Sequence, residues 1–157
     1  MDGFQTFFNE TRGRFFNFLV RLTGDAERAA DAFQESYLRY WQRYRKKAPS
    51  IGLLFTIGRN IAIDGHRRQK PHQPVDEQQQ DEGADPESTV IIKENYYRVL
   101  DAMASLDPTE RELLSLVVDG GFRYQEIARM TRLSEANVKV KIHRARQKLR
   151  HCLKETE

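Results

Sequence analysis

The chain has 157 residues, 39% apolar and 31% charged, with a formal net charge of +3. That is length for one ordinary domain or two small ones, and no apolar run approaches the ~18 residues of a spanning helix. The single cysteine, Cys152, excludes an internal disulfide framework and a cysteine-cluster metal site.

The charge is unevenly placed. Residues 1–70 hold 13 Lys/Arg against 7 Asp/Glu, net +6; residues 71–92 hold 6 Asp/Glu and no Lys/Arg, net −6; residues 93–157 hold 13 against 10, net +3. Two basic blocks flanking an acidic segment point to a polyanionic partner. The opening MDGFQTFFNETRGRFF is broken by charge and has no small-residue cleavage site, so it does not read as a signal peptide. A soluble, cytoplasmic protein is the expectation.

The first block is helical by pattern. Phe4, Phe7, Phe8, Phe15, Phe16, Phe18, Leu19 and Leu22 recur at three- and four-residue steps. Gly24 ends that helix, and Asp25 is placed to cap the next, which carries Ala30, Phe33, Tyr37, Leu38 and Trp41. Residues 43–50 form a basic turn, and Ser50 can cap a third helix with Leu54, Ile57, Ile61 and Ile63, ending near Gln69. The segment KPHQPVDEQQQDEGADPEST then buries too little apolar surface to offset its chain entropy, so 71–92 reads as a flexible acidic linker. The expected fold class is therefore all-α: two small helical domains, 1–70 and 93–157, each of marginal stability alone.

The second block opens with a helix from about Ile91 to Ser105. Asp107 caps the next, with Pro108 in its first turn and Glu110 placed for an approximate capping box. Leu113, Leu114, Leu116 and Val117 form its buried stripe, and Asp119-Gly120-Gly121 stops it. Residues 124–150 carry the sharpest signal. A short helix from Tyr124 to Met130 turns Ile127 and Ala128 inward; Thr131-Arg132-Leu133 is a tight turn, and Ser134 caps a longer helix. There Val138, Ile142, Ala145 and Leu149 fall on one face, flanked by Lys139, Lys141, Arg144, Arg146, Lys148 and Arg150. A short helix, a tight turn and a basic amphipathic helix make a DNA-binding helix–turn–helix. Arg132 stands where such turns often have glycine, so it must take a left-handed conformation at some cost.

No phosphate-binding loop, metal cluster or nucleophile–base pair is found, so neither an enzyme nor a cofactor is expected. His143 has no second ligand at i+3 or i+4, and His66, His72 and His151 are scattered surface residues, so no metal is expected either.

Taken together, these segments resemble the extracytoplasmic-function (ECF) sigma factors of bacterial RNA polymerase. Asp31 to Trp41 is similar to the family's core-polymerase-binding stretch. Leu54 to Asp64 followed by Arg67-Arg68 resembles its −10 element reader. Leu106 to Glu112, Tyr124 to Ala128 and Val138 to Arg146 resemble its −35 module. The resemblance implies a non-catalytic subunit that directs core polymerase to promoters, melts the −10 region and anchors at −35. The alternative is a helix–turn–helix regulator that acts without being a polymerase subunit.

The resemblance assigns Asp31, Phe33, Gln34, Glu35, Leu38 and Arg39 to core polymerase. Phe33 and Leu38 fit a docking face or the core equally, while Trp41 and Phe55 read as core. It assigns Lys46, Lys47, Ser50, Arg59, Asn60, Asp64 and Arg67 to the −10 element, where Asn60 offers both a donor and an acceptor to an unstacked base. It assigns Arg123, Ser134, Asn137, Lys139, Val140, Lys141, His143, Arg144 and Arg146 to the −35 element. Arg and Lys can pair with guanine there, and Val140 can meet a thymine methyl. Leu53 stands where the family commonly has tryptophan. Arg123 replaces a Ser or Thr helix cap, a loss of about 1 kcal/mol unless it reaches a phosphate.

Members of this type are commonly held by an anti-sigma factor, so such a partner is expected, with no membrane insertion. In the free protein the two domains are expected to associate loosely through apolar faces or to tumble separately. The 22 linker residues span ~25 Å as a free coil, against ~50–70 Å between promoter elements and a fully extended reach of ~70 Å. Core polymerase is the expected agent that stretches them.

Overall fold

The computed structural model describes residues 2–67 and 86–155, with side-chain surroundings for 3–65 and 94–154. All regular structure among the described residues is α-helical: α1 (Asp2–Thr23), α2 (Ala26–Tyr44), α3 (Ile51–Arg67), α4 (Pro86–Ala104), α5 (Pro108–Val118), α6 (Tyr124–Thr131) and α7 (Glu135–Glu155).

The first three helices form the N-terminal module. Asp25 caps α2 as expected, its carboxylate accepting the amides of Glu27 at 2.9 Å and Arg28 at 3.4 Å. The Ser50 hydroxyl accepts the Leu53 amide at 3.2 Å and opens α3 in the same way. Phe15, Phe18 and Leu19 of α1 and Leu54 and Phe55 of α3 are fully buried. The Phe7 ring stacks on Tyr40 at 5.0 Å, and Phe15 meets Phe55 edge-on at 5.2 Å. Gly58 allows this closeness, because a Cβ there would lie 2.5 Å from the Phe15 ring.

The structure chooses between the two places left open for Leu38 on α2. Ala29, Ala32, Ser36, Tyr37 and Tyr40 face inward, while Leu38 points to solvent. Tyr40 lies one turn from Tyr37 on the same face, whereas Leu38 is a full 100° step around the helix. Trp41 is half-buried and meets Phe4 at 4.8 Å.

The last four helices form the C-terminal module. Helix α4 starts at Pro86 rather than Ile91, inside the segment expected to be linker; proline suits a first helical turn, where its missing N–H has no partner to lose. The rest of that segment, 71–85, lies outside the described residues. Arg111 of α5 closes the far end of α4, donating to the carbonyls of Met103, Ala104 and Leu106 at 3.1–3.3 Å.

Asp107 caps α5 through the amides of Thr109 and Glu110. Glu110 itself departs from the expected capping box: its carboxylate is buried and takes Lys148 Nζ from α7 at 2.6 Å. Gly121 turns the chain with φ of 66°. The stripe of α5 and the inner face of α7 then meet, with Leu113, Leu116, Ile127, Val138, Ile142 and Ala145 fully buried.

The modules are docked on each other. Helix α1 packs on α4 and α5, and α3 packs on α6. Phe55 meets Phe122 edge-on at 5.2 Å, Arg21 pairs with Asp119 at 3.5 Å, and Arg59 pairs with Glu112. The contact is thus ionic as well as apolar, which goes beyond loose association through apolar faces. Burying a ring such as Phe122 is worth roughly 1.5–3 kcal/mol.

Candidate nucleic-acid and polymerase interfaces

Three surfaces carry the residues singled out in the sequence. The first is the outer face of α2. Asp31, Gln34, Glu35, Leu38 and Arg39 are all exposed there, Leu38 at 55%. Arg39 and Glu35 pair across one turn, a contact worth only a few tenths of a kcal/mol and easily given up to a partner. Phe33 stands apart: it is half-buried against the rings of Phe8, Phe15, Phe16 and Tyr37.

The second surface is the basic turn and α3. The Tyr40 hydroxyl accepts the Ser50 amide at 3.0 Å and ties the turn to α2. Arg45 lies over the Trp41 ring at 5.2 Å and Lys47 over Tyr44 at 5.7 Å, so two cations of the turn are held in place by aromatic faces. Lys46, Lys47, Ser50, Asn60 and Asp64 are exposed. Arg59 is half-buried and directed at Glu112, with a second bond to Asn60 Oδ1 at 3.0 Å. The Arg67 backbone ends α3, and its side chain lies outside the described set.

The third surface is the helix–turn–helix of α6 and α7. Arg132 takes φ 60° and ψ 32°, the left-handed conformation expected of it. The Ser134 hydroxyl caps α7 through the Asn137 amide at 3.1 Å. With Val138, Ile142 and Ala145 buried, α7 turns Asn137, Lys139, Val140, His143, Arg144 and Arg146 outward, Val140 at 47% exposure. Lys141 is half-buried on the flank. The Arg146 guanidinium donates to the Tyr124 hydroxyl at 3.5 Å. Arg123 makes no side-chain cap; the Glu126 carboxylate accepts its amide at 3.1 Å instead, and the residue is exposed.

Sequence reasoning missed the residues that join the modules: Arg21, Glu112, Asp119 and Phe122. The available signal was the acids around the α5 stripe. Both Glu112 and Asp119 are buried. Desolvation pushes the Asp119 carboxyl up to about 6, with Arg21 opposing the rise. Among the described residues no group of potential metal ligands is found, and no helix is long and apolar enough to cross a membrane.

Residues 7–72 match the sequence family Sigma-70 region 2, and residues 96–149 match Sigma-70, region 4. The chain is 30% identical to the ECF RNA polymerase sigma factor SigL of Mycobacterium tuberculosis, over 94% of this chain and 87% of that one. This chain belongs to the ECF RNA polymerase sigma factors. It is also 24% identical to the ECF sigma factor SigK of Mycobacterium tuberculosis, over 96% of this chain and 85% of its relative.

The fold is shared with the Bartonella quintana sigma factor RpoE, solved in complex with the anti-sigma factor NepR (TM-score 0.80, 19% identity, 98% of each chain). It is shared as well with CnrH, solved with the cytosolic domain of CnrY (TM-score 0.73, 20% identity, 98% of this chain and 89% of that one). As an ECF sigma factor, the protein directs bacterial core RNA polymerase to promoters. The region 2 match over the N-terminal module sets aside a helix–turn–helix regulator that never joins polymerase.

Proposed function

We propose a division of labour among the three surfaces, with boundaries near those of the sequence reading: 1–70 for core polymerase and the −10 element, 93–157 for the −35 element, and 71–92 between them. Helix α2 docks on core polymerase through Asp31, Gln34, Glu35, Leu38 and Arg39, with Phe33 supporting that face from below. The basic turn and α3 hold the −10 element through Lys46, Lys47, Ser50, Arg59, Asn60, Asp64 and Arg67. Helix α7 reads the −35 element through Asn137, Lys139, Val140, His143 and Arg144. Arg123, Ser134, Lys141 and Arg146 position it on phosphates.

The observation that carries this reading is the outward face of α7, where an apolar Val140 sits exposed among cations while the opposite face is fully buried. Cations flanking Val140 can meet phosphates and guanine, and Val140 itself can meet a thymine methyl. The protein acts in the cytoplasm, without catalysis of its own, and an anti-sigma factor is its natural antagonist.

The test is reconstitution with bacterial core polymerase and a panel of genomic promoters. Co-elution with core and initiation from a defined subset are expected. Failure to bind core, in protein freed of any antagonist, would overturn the reading; binding without initiation would mark a decoy.

A further inference from the structure

One residue of the helix–turn–helix is held at a cost and has no DNA role assigned to it. Arg132 is the only non-glycine residue among those described with a positive φ, 60°. The conformation is fixed from both sides. The Arg132 amide donates to the Ala128 carbonyl, and the Leu133 amide reaches the same carbonyl at 3.2 Å. The Thr131 hydroxyl donates to the Ile127 carbonyl at 2.7 Å, and Leu133 packs against the core. Glycine takes this geometry without strain, so the turn itself gives no reason for an arginine.

The side chain gives no structural reason either. Arg132 is exposed. Among the described residues, no ion pair uses its guanidinium. Glu135, three residues on, is exposed and not paired with it. Strained backbone of this kind gathers at sites that clamp a ligand, and here it carries an unpaired cation on a rigid turn.

The place of the turn names the ligand. It stands just ahead of Ser134, whose hydroxyl caps α7. Arg129, in the last turn of α6, is exposed as well. In a helix–turn–helix the head of the second helix meets base edges while the first helix crosses the DNA backbone. The turn that joins them therefore runs beside phosphates. A guanidinium pairs with phosphate oxygens through short, charge-assisted hydrogen bonds, which fix register and carry no sequence information.

We propose that Arg132 is a further phosphate contact of the −35 module, presented to the DNA backbone by the left-handed turn between α6 and α7. The proposal rests on the −35 assignment of α7 made above. The strain of the turn is then the cost of placing a cation where glycine would place none.

A phosphate contact is independent of sequence, so one probe is a pool of short duplexes of random sequence. The full chain is titrated against it by fluorescence anisotropy over a range of salt. Arg132→Gly and Arg132→Asn should each flatten the log–log salt slope by ~0.9 and weaken binding about eightfold at ~0.1 M salt, the loss fading toward ~1 M. Asparagine accepts the left-handed backbone without the charge, so agreement between the two variants separates charge from chain freedom. Arg132→Lys keeps the cation and should keep the slope. Neither neutral variant should unfold earlier than wild type in urea.

A duplex from a promoter that the reconstituted polymerase initiates from should lose the same factor. An unchanged slope in both neutral variants, an equal loss in Arg132→Lys, or a loss confined to the promoter duplex would each overturn the phosphate contact. Failure of the −35 assignment shows differently, as wild-type holoenzyme that does not initiate while random duplexes still respond to Arg132.

Discussion

Arg132 holds a left-handed backbone without being glycine, a conformation that costs an L-residue roughly 1–2 kcal/mol. Glycine removes that strain but adds unfolded-state freedom of about 0.4–1 kcal/mol. Arg132→Gly should therefore raise stability by up to about 1.5 kcal/mol, and Arg132→Val should lower it, both read from urea unfolding. The Glu110 carboxylate presents the opposite case. One oxygen takes Lys148, and the other has no hydrogen-bond partner among the described residues. Lys148→Met would leave the whole group buried and unpaired, at a cost of about 1–3 kcal/mol; an unchanged unfolding midpoint would show that water reaches Glu110.

Helices separate stability from recognition. On α2, Leu38 projects to solvent while Tyr37 and Tyr40 hold the core. Leu38→Asp should leave the thermal midpoint within experimental error, since exposed substitutions stay within about ±0.5 kcal/mol, yet weaken binding to core polymerase. On α6, Arg123→Ser supplies the missing cap and should add about 1 kcal/mol. It should also reduce the salt dependence of −35 binding by about one phosphate contact, or ~0.9 in the log–log slope.

The elements were readable because their determinants are local: Asp25, Asp107 and Ser134 cap within three residues, and the α7 face repeats every three or four. The place of Leu38 on α2 stayed open because Leu38 and Tyr37 are equally apolar in a list, and only packing chooses between them. The start of α4 was missed because composition argued for linker and a single proline argued for helix. The seam between modules was illegible for another reason. Arg59 and Glu112 are 53 positions apart, and no periodicity within either helix says that they meet.

At the scale of the whole molecule, the seam should respond to acid. Asp119 has its carboxyl raised to about 6 in the folded chain, above the ordinary carboxylate value near 4. The folded state therefore binds a proton that the unfolded state does not between about pH 4 and 6, and this group favours folding more as pH falls through that window. At neutral pH its charge opposes folding. Asp119→Asn, which mimics the neutral form, should be more stable than wild type at pH 7.5, with the gap closing by pH 4.5; a gap that stays constant with pH would refute the assignment.

The Phe55–Phe122 contact also bears on solubility. Both rings are buried while the modules are closed. Opened in free solution, they would add aromatic surface to a chain whose Leu38 is already bare, and contiguous apolar patches promote association with other copies. A version held open should therefore become concentration-limited, turning oligomeric in light scattering where the closed chain stays monodisperse.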